Sequence, residues 1–349
     1  MTSSETREEA VLKAVRERRE LVNDAIPEEL PIRRPERLYE ASRYLLDAGG
    51  KRLRPTVLLV TAESLADVGP LSVDYRSFPT LDGERIDVMN AAVSVEVIQS
   101  FTLIHDDIMD DDDLRRGVPA VHREYDLETA ILAGDTLYSK AFEIMLETGA
   151  DADRTVEALD VLATTCTNIC EGQSLDVTFE SCADVTPEEY LEMVEQKTAV
   201  LYAASACLPA VLMGADDETV DALYGYGLDI GRAFQIQDDV LDLTVPSEKL
   251  GKQRGSDLVE NKQTLITVHA REQGVDLDSL VATDDVDAVT EAEIDDAVAK
   301  LEAVGSIEYA NEMARDLVDQ GKGRLEVLPD NDARELLCDL ADYLIERGY

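Results

Sequence analysis

Two clusters of aspartate have the residue types and the spacing that could bind a divalent metal ion. They lie at residues 105–113 (HDDIMDDDD) and residues 235–242 (QIQDDVLD). Each cluster contains two aspartates four residues apart, namely Asp106 with Asp110 and Asp238 with Asp242. On a helix such a pair shares one face, where two carboxylates repel each other unless a cation lies between them.

Mg²⁺ is the ion that this donor chemistry favours. It prefers hard oxygen ligands in near-octahedral geometry and keeps several waters or substrate phosphate oxygens in its shell. Each aspartate pair would supply only part of that shell, and a diphosphate would complete it. One such cluster in a chain with 75 acidic residues could equally be solvated surface. Two clusters, each at the end of an apolar helical pattern, favour a metal site.

Clustered basic side chains accompany the acidic clusters, although the chain has only 32 Lys and Arg. They lie in residues 49–55 (GGKRLRP), in Arg115–Arg116, in Lys197–Thr198, and at Lys252 and Lys262 around the glycine-containing segment 251–258. An Arg fork binds phosphate through two hydrogen bonds, and Lys acts as a compact point charge. Each cation alone could be solvated or ion-paired, but their coincidence with the aspartate pairs indicates a phosphate-bearing substrate.

Helices are predicted to position these side chains. Apolar residues recur at spacings of three and four in residues 8–24, 88–110, 127–147, 153–176, 187–213, 217–243 and 333–346. Thr186 before Pro187 predicts a helix start, as does Asp216 or Asp217. Residues 69–86 and 274–292 lack this periodicity and are predicted to be loops. We therefore expect one all-α domain over residues 1–349.

The net charge of −43 argues against functions that need binding to nucleic acid or to an anionic membrane. Such a surface repels phosphate backbones, so nucleic acid and anionic membranes are poor partners. With 45% hydrophobic residues the chain is too apolar to be disordered, and we interpret the charge as adaptation to high salt, which screens the repulsion. Five cysteines without a CxxC spacing support neither a zinc site nor a disulfide framework.

The protein is expected to be cytoplasmic. Its first twenty residues are charged throughout and do not resemble a secretory signal. The longest uncharged run, residues 198–215, barely reaches the length of a membrane span and contains Ser, Thr and Pro. We expect it to be a buried core helix.

In the order of its motifs, the chain resembles the trans-isoprenyl diphosphate synthases (polyprenyl synthetases). The matching motifs run from about residue 40 to 265 and comprise GGKRLRP, DDIMD with the trailing DDLRRG, GQSLD at 172–176, the KT pair at 197–198, and FQIQDDVLDL at 234–243. As a set these motifs are highly specific for the family. Within the family, the chain resembles archaeal short-chain enzymes of haloarchaeal type. The resemblance implies a single large helical bundle of the isoprenoid synthase type around a central active-site cavity, and a homodimer.

The resemblance also implies a role for each matched residue. Mg²⁺, which Mn²⁺ could replace, would be held by Asp106, Asp110, Asp238 and Asp242. These four would act in catalysis together with Asp107, Asp239 and Lys197. The allylic diphosphate would be contacted by Arg115, Lys197, Thr198, Gln235, Lys252 and Lys262. The diphosphate of isopentenyl diphosphate would be bound by Lys51, Arg54, Gln99 and Arg116. Family members often carry His at the position of Gln99, and Gln can still donate through its amide.

The implied reaction is head-to-tail condensation of isopentenyl diphosphate with dimethylallyl, geranyl or farnesyl diphosphate, with release of pyrophosphate. The allylic diphosphate ionises, and Mg²⁺, Lys and Arg stabilise the charge on the departing group. The double bond of isopentenyl diphosphate then attacks, and a proton leaves to the released pyrophosphate. His105 is a weaker candidate for the base, since a helix-end His is more often structural.

Product length is expected to depend on the residues one helical turn before Asp106. Phe101 lies five positions before Asp106 and Thr102 four positions before it. In the family, an aromatic residue five positions before the first aspartate, without one four positions before it, is typical of synthases whose product is the C20 compound geranylgeranyl diphosphate. We therefore predict C20, with C15 or C25 and longer as alternatives.

Three other readings of the sequence are open. A class I terpene cyclase would share the first motif and the helical bundle, but its second metal motif is normally of the Asn/Ser/Glu type. A non-catalytic partner subunit should lack one aspartate motif, and both are intact here. An acidic ion-binding protein with a purely structural role would not need the clustered Lys and Arg.

Overall fold

The computed structural model describes residues 3–179, 182, 184–247, 254–281, 283 and 288–346. Helices dominate this part of the chain, as the apolar periodicity predicts. The first six are α1 (Ser3–Glu29), α2 (Glu36–Asp47), α3 (Leu53–Leu65), α4 (Val88–Met109), α5 (Val121–Glu124) and α6 (Leu127–Leu146). Two short antiparallel hairpins interrupt them, β1 (Phe78–Pro79) with β2 (Arg85–Ile86) and β3 (Leu114–Arg115) with β4 (Val118–Pro119).

The later helices begin with α7 (Ala152–Phe179) and α8 (Pro187–Val194), which leads into a π-helical turn at Glu195–Ala199. The chain continues through α9 (Val200–Met213), α10 (Asp217–Thr244), α11 (Ser256–Val259), α12 (Leu265–Glu272), α13 (Glu291–Ala303), α14 (Ser306–Arg324) and α15 (Asp332–Glu346). Single 3-10 turns lie at Tyr75–Ser77, Leu277–Ser279 and Leu325–Val327. The prediction of an all-α fold is confirmed.

The predicted helix starts are also confirmed. Thr186 caps α8 in a reciprocal capping box with Glu189, and Pro187 is the first helical residue. The Asp216 carboxylate accepts from the backbone N–H of Thr219, so Asp216 caps α10 and the helix begins at Asp217. Capping satisfies backbone donors that a helix leaves unpaired at its start, which is why these polar residues precede apolar runs.

The described chain divides into two compact units. The first comprises Met1–Cys166, Leu201–Tyr224 and Leu325–Leu340. Its core is built on α4, which packs against α3 and α6, while α1 packs on α3 and α4 and α2 packs on α6. Side chains on nearly every face of α4 are buried, so this helix lacks a polar side. The predicted loop at residues 69–86 contains the β1–β2 hairpin.

The second unit comprises Thr167–Val200, Gly225–Arg324 and Ala341–Tyr349. Within it α12 packs against α8, α13 and α14, and the π-helical turn continues from α8. Part of the predicted loop at 274–292 carries the 3-10 turn Leu277–Ser279, and residues 282 and 284–287 lie outside the described part. The prediction of one domain over residues 1–349 stays a prediction.

Helix α4 is long and apolar enough to cross a membrane, but 78% of its most apolar window is buried inside the protein. It is therefore a core helix. The uncharged run at 198–215 forms α9, whose apolar side chains are at most 3% exposed, so its prediction as a core helix is confirmed.

Candidate active site

The first aspartate cluster lies at the carboxyl end of α4 in the first unit. Asp106 is in the last helical turn, and Asp110 is the residue that ends the helix. The Asp110 N–H donates to the Asp106 carbonyl over 2.8 Å, so helical geometry extends through the pair. The sequence prediction that these two residues are separated by one helical turn is therefore met in the structure.

Asp107 is buried beside this pair and is tied to Arg115. The Arg115 Nε donates to Asp107 Oδ1 over 2.5 Å, and Nη2 of the same guanidinium donates to Asp112 over 2.8 Å. Burial raises the pKa of Asp107 to about 6, and the Arg115 charge opposes that shift. Because Oδ2 of Asp107 is buried without a partner among the described residues, it retains lone pairs for a further donor or cation.

After the first aspartate cluster, Arg115 ends β3 and Arg116 lies in the two-residue turn that follows it. Arg116 and Gly117 both have positive φ, 55° and 78°, which is the backbone that closes a tight hairpin between β3 and β4. The Arg116 guanidinium donates to the Leu45 carbonyl over 3.0 Å, to the Gly49 carbonyl, and to Glu96 over 3.3 Å. In this structure Arg116 therefore holds the backbone of the GGKRLRP segment.

Glycine is required in the GGKRLRP segment at position 50. Its φ is 145°, and a Cβ there would lie 2.9 Å from Cζ of Arg116. The three cations that follow have different environments. Lys51 is exposed, Arg52 is buried in an ion pair with Glu96, and the Arg54 guanidinium lies 4.2 Å from the centre of the Tyr202 ring. Lys51 and Arg54 stay predicted ligands of isopentenyl diphosphate, as do Gln99 and Arg116.

Glu96 supports the GGKRLRP segment, and the sequence analysis did not single it out. It is 3% exposed in the middle of α4 and accepts from both Arg52 and Arg116. Arg52 is further fixed by Asn23 over 2.9 Å and by the Leu46 carbonyl over 2.6 Å. The sequence does contain a signal for this residue, since Glu96 is an acid inside the apolar run VSVEVIQS. An acid at a buried position needs a charged partner, so the pattern indicates a buried ion pair.

The second aspartate cluster lies wholly within α10 in the second unit. Asp238 is half-buried and lines a cavity of about 150 Å³. Asp239 is 6% exposed and accepts from the Tyr190 hydroxyl and from Gln235 Nε2, the latter over 3.0 Å. Burial raises the pKa of Asp239 well above its ordinary value, and the nearby Asp257 charge adds to the rise.

Asp242 faces the segment after α10 in this structure. It is 2% exposed, and its oxygens accept from the Ser256 hydroxyl over 3.1 Å and from the Asp257 N–H over 3.3 Å. Its carboxylate thus holds the turn that begins α11. It does not line the cavity that Asp238 lines. The role of Asp242 as a direct metal ligand stays a prediction.

The Lys197–Thr198 pair lies in the π-helical turn, a rare geometry that is common at functional sites. Lys197 Nζ donates to Asp176, and Thr198 Oγ1 donates to Gln235 Oε1 over 3.1 Å. Two glycines allow the neighbouring helices to approach this turn. A Cβ at Gly172 would lie 2.2 Å from the Lys197 nitrogen, and one at Gly231 would lie 2.6 Å from Cα of Ala199.

The cavity in the second unit brings together six residues predicted from sequence. These are Lys197, Thr198, Gln235, Asp238, Asp239 and Lys262. Lys262 Nζ lies 2.9 Å from Glu260 and 3.8 Å from Asp257. Five polar side chains that the sequence did not assign to the site also line the cavity, namely Asp176, Tyr190, Asp257, Gln263 and Thr264. Lys252 lies outside the described residues.

The predicted chain-length residues lie on α4 beside α6. The Phe101 ring is 9% exposed and meets His105 and Tyr138 edge-on, with ring centres 5.0 Å and 5.3 Å apart. Gly134 makes room for the His105 ring, since a Cβ there would lie 2.2 Å from its Nε2. Gln99 and Thr102 are half-buried on the same helix. Phe101 thus belongs to an aromatic cluster between α4 and α6.

The donor set of the described residues suits Mg²⁺ that is shared with a substrate. No group of three or more His, Cys, Asp or Glu in this part of the chain could hold a metal by itself. Mg²⁺ is usually bound by one or two carboxylates together with waters and phosphate oxygens, so incomplete carboxylate sets fit this ion. The first pair belongs to the first unit and the second pair to the second unit, and their joint action on one diphosphate stays a prediction.

Known proteins match this chain over nearly its whole length. The family model for polyprenyl synthetases matches residues 35–301. A geranylfarnesyl diphosphate synthase from Natronomonas pharaonis is 73% identical over 97% of this chain and 98% of its own. A geranylgeranyl diphosphate synthase from Methanosarcina mazei is 51% identical over 96% of this chain and 97% of its own.

The fold matches as well. The structure of a geranylgeranyl pyrophosphate synthetase from the archaeon Geoglobus acetivorans has a TM-score of 0.85 and 43% identity, and covers 95% of this chain and 99% of its own. The predicted isoprenoid synthase type of all-α fold is therefore confirmed. The chain belongs to the polyprenyl synthetase family and is a prenyltransferase, a short-chain trans-prenyl diphosphate synthase.

Proposed function

We propose that this protein condenses isopentenyl diphosphate with allylic diphosphates in a Mg²⁺-dependent reaction and that its main final product is geranylfarnesyl diphosphate (C25). The observation that carries the chemistry is the cavity of the second unit. Four aspartates line it, Asp238 among them, together with two cations, Lys197 and Lys262, and with the polar side chains of Thr198 and Gln235. A diphosphate needs this combination of metal ligands, charges and hydrogen-bond donors.

The residues around the cavity would act mainly on the leaving group. Mg²⁺, when bound, would stabilise the charge that develops on the departing pyrophosphate. Asp238 would be one ligand of the ion, and Asp106, Asp110 and Asp242 remain the other ligands expected from the sequence. Lys197 would place a positive charge at the same oxygens, and its present partner Asp176 fixes its direction. Asp107 and Asp239 would position neighbouring groups, because each is already hydrogen-bonded within the protein.

The second substrate would bind through the GGKRLRP segment. Lys51, Arg54 and Arg116 would bind the diphosphate of isopentenyl diphosphate. Glu96, through its ion pairs with Arg52 and Arg116, would keep the segment in shape. Gln99 would donate its amide to the same substrate. The proton lost after attack would leave with the released pyrophosphate, since that anion is formed beside the reacting carbons.

The proposed product length is based on similarity to two named relatives and on the side chains around Phe101. The relative from N. pharaonis, at 73% identity, is named for the C25 product and favours C25 over the C20 product expected from the sequence. The M. mazei relative, at 51% identity, is named for C20, which makes C20 the second candidate. The Phe101 ring packs against Tyr138 on the α6 side, and the small Thr102 lies one turn before Asp106, where it would let a longer chain pass.

A cytoplasmic homodimer completes the proposal. Helix α6 exposes Leu127, Ile131 and Leu132 to solvent, at 48%, 41% and 55%. Apolar side chains exposed along one helix are typical of an interface. A second copy covering them would be in keeping with the family, and light scattering of the purified protein in molar KCl would give its mass.

Product analysis tests the proposal. The protein is incubated in molar KCl with Mg²⁺, isopentenyl diphosphate and each C5, C10 or C15 primer, and the dephosphorylated prenols are separated by chromatography. We expect C25 as the longest main product and C20 as the intermediate that accumulates. A product that stops at C20 would overturn the length but keep the reaction. A hydrocarbon formed from geranylgeranyl diphosphate alone, with no use of isopentenyl diphosphate, would overturn the reaction.

A further inference from the structure

A chain of hydrogen bonds links a buried tyrosine to the cavity of the second unit. The Tyr190 hydroxyl donates to Asp239 Oδ2, and Gln235 Nε2 donates to Asp239 Oδ1 over 3.0 Å. Gln235 Oε1 accepts from the Thr198 hydroxyl over 3.1 Å. Tyr190 and Asp239 are 1% and 6% exposed, while Thr198 and Gln235 are half-buried at the cavity. The chain therefore runs from the core to the predicted diphosphate contacts.

This chain fixes the orientation of the Gln235 amide. An amide group offers two N–H donors on its nitrogen and one acceptor oxygen. Thr198 occupies the oxygen and Asp239 takes one of the two N–H groups. The second N–H of Gln235 is then the donor left for a ligand in the cavity. If the amide turned over, its oxygen would face the Asp239 carboxylate, which is unfavourable.

Tyr190 determines where the Asp239 carboxylate lies. With both carboxylate oxygens engaged, one by Tyr190 and one by Gln235, the group cannot rotate without breaking a hydrogen bond. Losing one partner of a buried polar group is costly, so the Tyr190 hydroxyl stabilises this arrangement. Tyr190 also lies in α8, which leads directly into the turn that carries Lys197 and Thr198.

We propose that the Tyr190 hydroxyl is a positioning group for the allylic diphosphate, which acts through Asp239 to aim the Gln235 amide into the cavity. This inference rests on the proposed function, since it assumes that a diphosphate occupies the cavity. Tyr190 does not itself contact the reacting atoms. Its removal should weaken the binding of the diphosphate that Gln235 contacts and leave the isopentenyl diphosphate site, built on Lys51 and Arg54, unaffected.

The test compares Tyr190→Phe with the wild-type protein in molar KCl. We expect the KM for the allylic diphosphate to rise about tenfold, as for the loss of roughly 1.4 kcal/mol, while the KM for isopentenyl diphosphate stays within about twofold. Calorimetric titration with inorganic pyrophosphate and Mg²⁺, which needs no turnover, should show the same loss of affinity. Tyr309→Phe is the matched control, because the Tyr309 ring stacks on His269 away from the cavity and its loss of a hydroxyl should change neither constant.

A double-mutant cycle shows whether Tyr190 acts through Gln235. In a Gln235→Leu background Tyr190→Phe should cause little further loss of pyrophosphate affinity, because the group that it positions is gone. Equal losses in both backgrounds would overturn the proposal, as would wild-type affinity in Tyr190→Phe.

A second variant covers the case in which Tyr190→Phe does not fold. Asp239→Ala removes both acceptor oxygens, so neither Tyr190 nor Gln235 keeps its partner, and it should also lower pyrophosphate affinity about tenfold, by the loss of roughly 1.4 kcal/mol. Unchanged affinity in that variant would contradict the proposal. If the wild-type protein binds no pyrophosphate and transfers no isopentenyl group, the proposed function itself fails, which is a different outcome.

Discussion

At the residue scale, the charged side chains near the predicted site divide into those that hold the backbone and those that face a substrate. Arg52 and Glu96 are 2% and 3% exposed and paired with each other, whereas Lys51 in the same segment is exposed. In a chain where acids outnumber bases, a buried Arg is therefore a structural group. The predicted phosphate ligands Lys51, Lys197 and Lys262 are exposed or half-buried, so solvent reaches them.

Neutralising Glu96 should destabilise the protein strongly. Glu96→Gln leaves the buried Arg52 without its counter-charge, and breaking a buried ion pair by removing one partner costs about 3–5 kcal/mol. Chemical denaturation at constant KCl, followed by circular dichroism, would measure the loss.

The control is Asp47→Asn, which breaks an exposed pair with Arg43 in which the Asp47 side chain is 53% exposed. It should change the free energy of unfolding by less than about 1 kcal/mol. Equal effects of the two substitutions would show that the Glu96 pair is not the anchor of the GGKRLRP segment.

Much of the candidate site could be predicted at this scale, because its residues occur in short motifs. Asp106 with Asp110, Asp238 and the pair Lys197–Thr198 were all found by type and spacing. Tyr190 and Glu96 were not, because their partners are distant in sequence. Tyr190 meets Asp239 across 49 residues and Glu96 meets Arg52 across 44. Only the packing of the helices reveals such pairs.

At the element scale, the π-helical turn at Glu195–Ala199 is the feature that positions Lys197 and Thr198. Close approach of α7 and α10 to this turn depends on Gly172 and Gly231, which leave no room for a side chain. The Arg232 guanidinium is also paired with Glu195 at the start of the turn. The turn is therefore held from two helices.

Adding one methyl group at Gly172 should disturb this turn. In Gly172→Ala the new Cβ would meet the Lys197 backbone nitrogen, so the turn must shift, and overpacking of this kind costs about 1–3 kcal/mol. Turnover should fall together with the free energy of unfolding, because Lys197 and Thr198 move.

Gly323→Ala in α14 is the matched control. No atom lies within 4 Å of a Cβ at that position, so the substitution should be neutral or stabilising by roughly 0.5–1 kcal/mol. Normal turnover in Gly172→Ala, measured beside Gly323→Ala, would show that the turn tolerates displacement.

The contact between α4 and α6 should set the product length. Phe101→Ala removes the ring that packs on Tyr138 and opens space beside the helix. We expect products longer than those of the wild-type protein, measured by chromatography of the dephosphorylated prenols. Tyr138→Phe, which keeps the ring contact, should leave the product unchanged. An unaltered product from Phe101→Ala would exclude Phe101 as the floor of the chain-binding space.

Apolar spacing predicted most of the long helices but not α2, although α2 buries one face, with Ala41, Leu45 and Leu46, and so carries the same signal. Helix α10 was expected at 217–243 and runs over Asp217–Thr244. Helix α3 was not predicted either; nearly all of its side chains are buried, so it has no polar side, a property that it shares with α4. The β1–β2 hairpin was missed because two-residue strands leave no alternation to detect.

At the scale of the whole molecule, the net charge of −43 is the dominant property. Repulsion between so many carboxylates opposes the compact state, and it weakens as salt screens it, with a Debye length of about 3 Å at 1 M. The high identity to a protein from the haloarchaeon N. pharaonis agrees with this interpretation.

The protein should therefore lose helical structure when salt is removed. We expect the circular dichroism signal at 222 nm to fall as KCl drops below about 1 M, and to return when salt is restored. Titration with an uncharged osmolyte at matched osmolality is the control, because it changes hydration without screening charge. Full helicity in dilute buffer would contradict the interpretation of the charge as salt adaptation.

The central claim is that an aspartate of the second cluster holds Mg²⁺ on the diphosphate that departs. The most direct measurement is transfer of radiolabelled isopentenyl diphosphate into prenol at saturating Mg²⁺ in molar KCl by wild-type protein and Asp238→Ala, with the exposed Asp160→Ala on α7 as control. We predict at least a roughly 10²-fold loss of turnover in Asp238→Ala and normal turnover in the control. Near-normal turnover in Asp238→Ala would contradict the assignment.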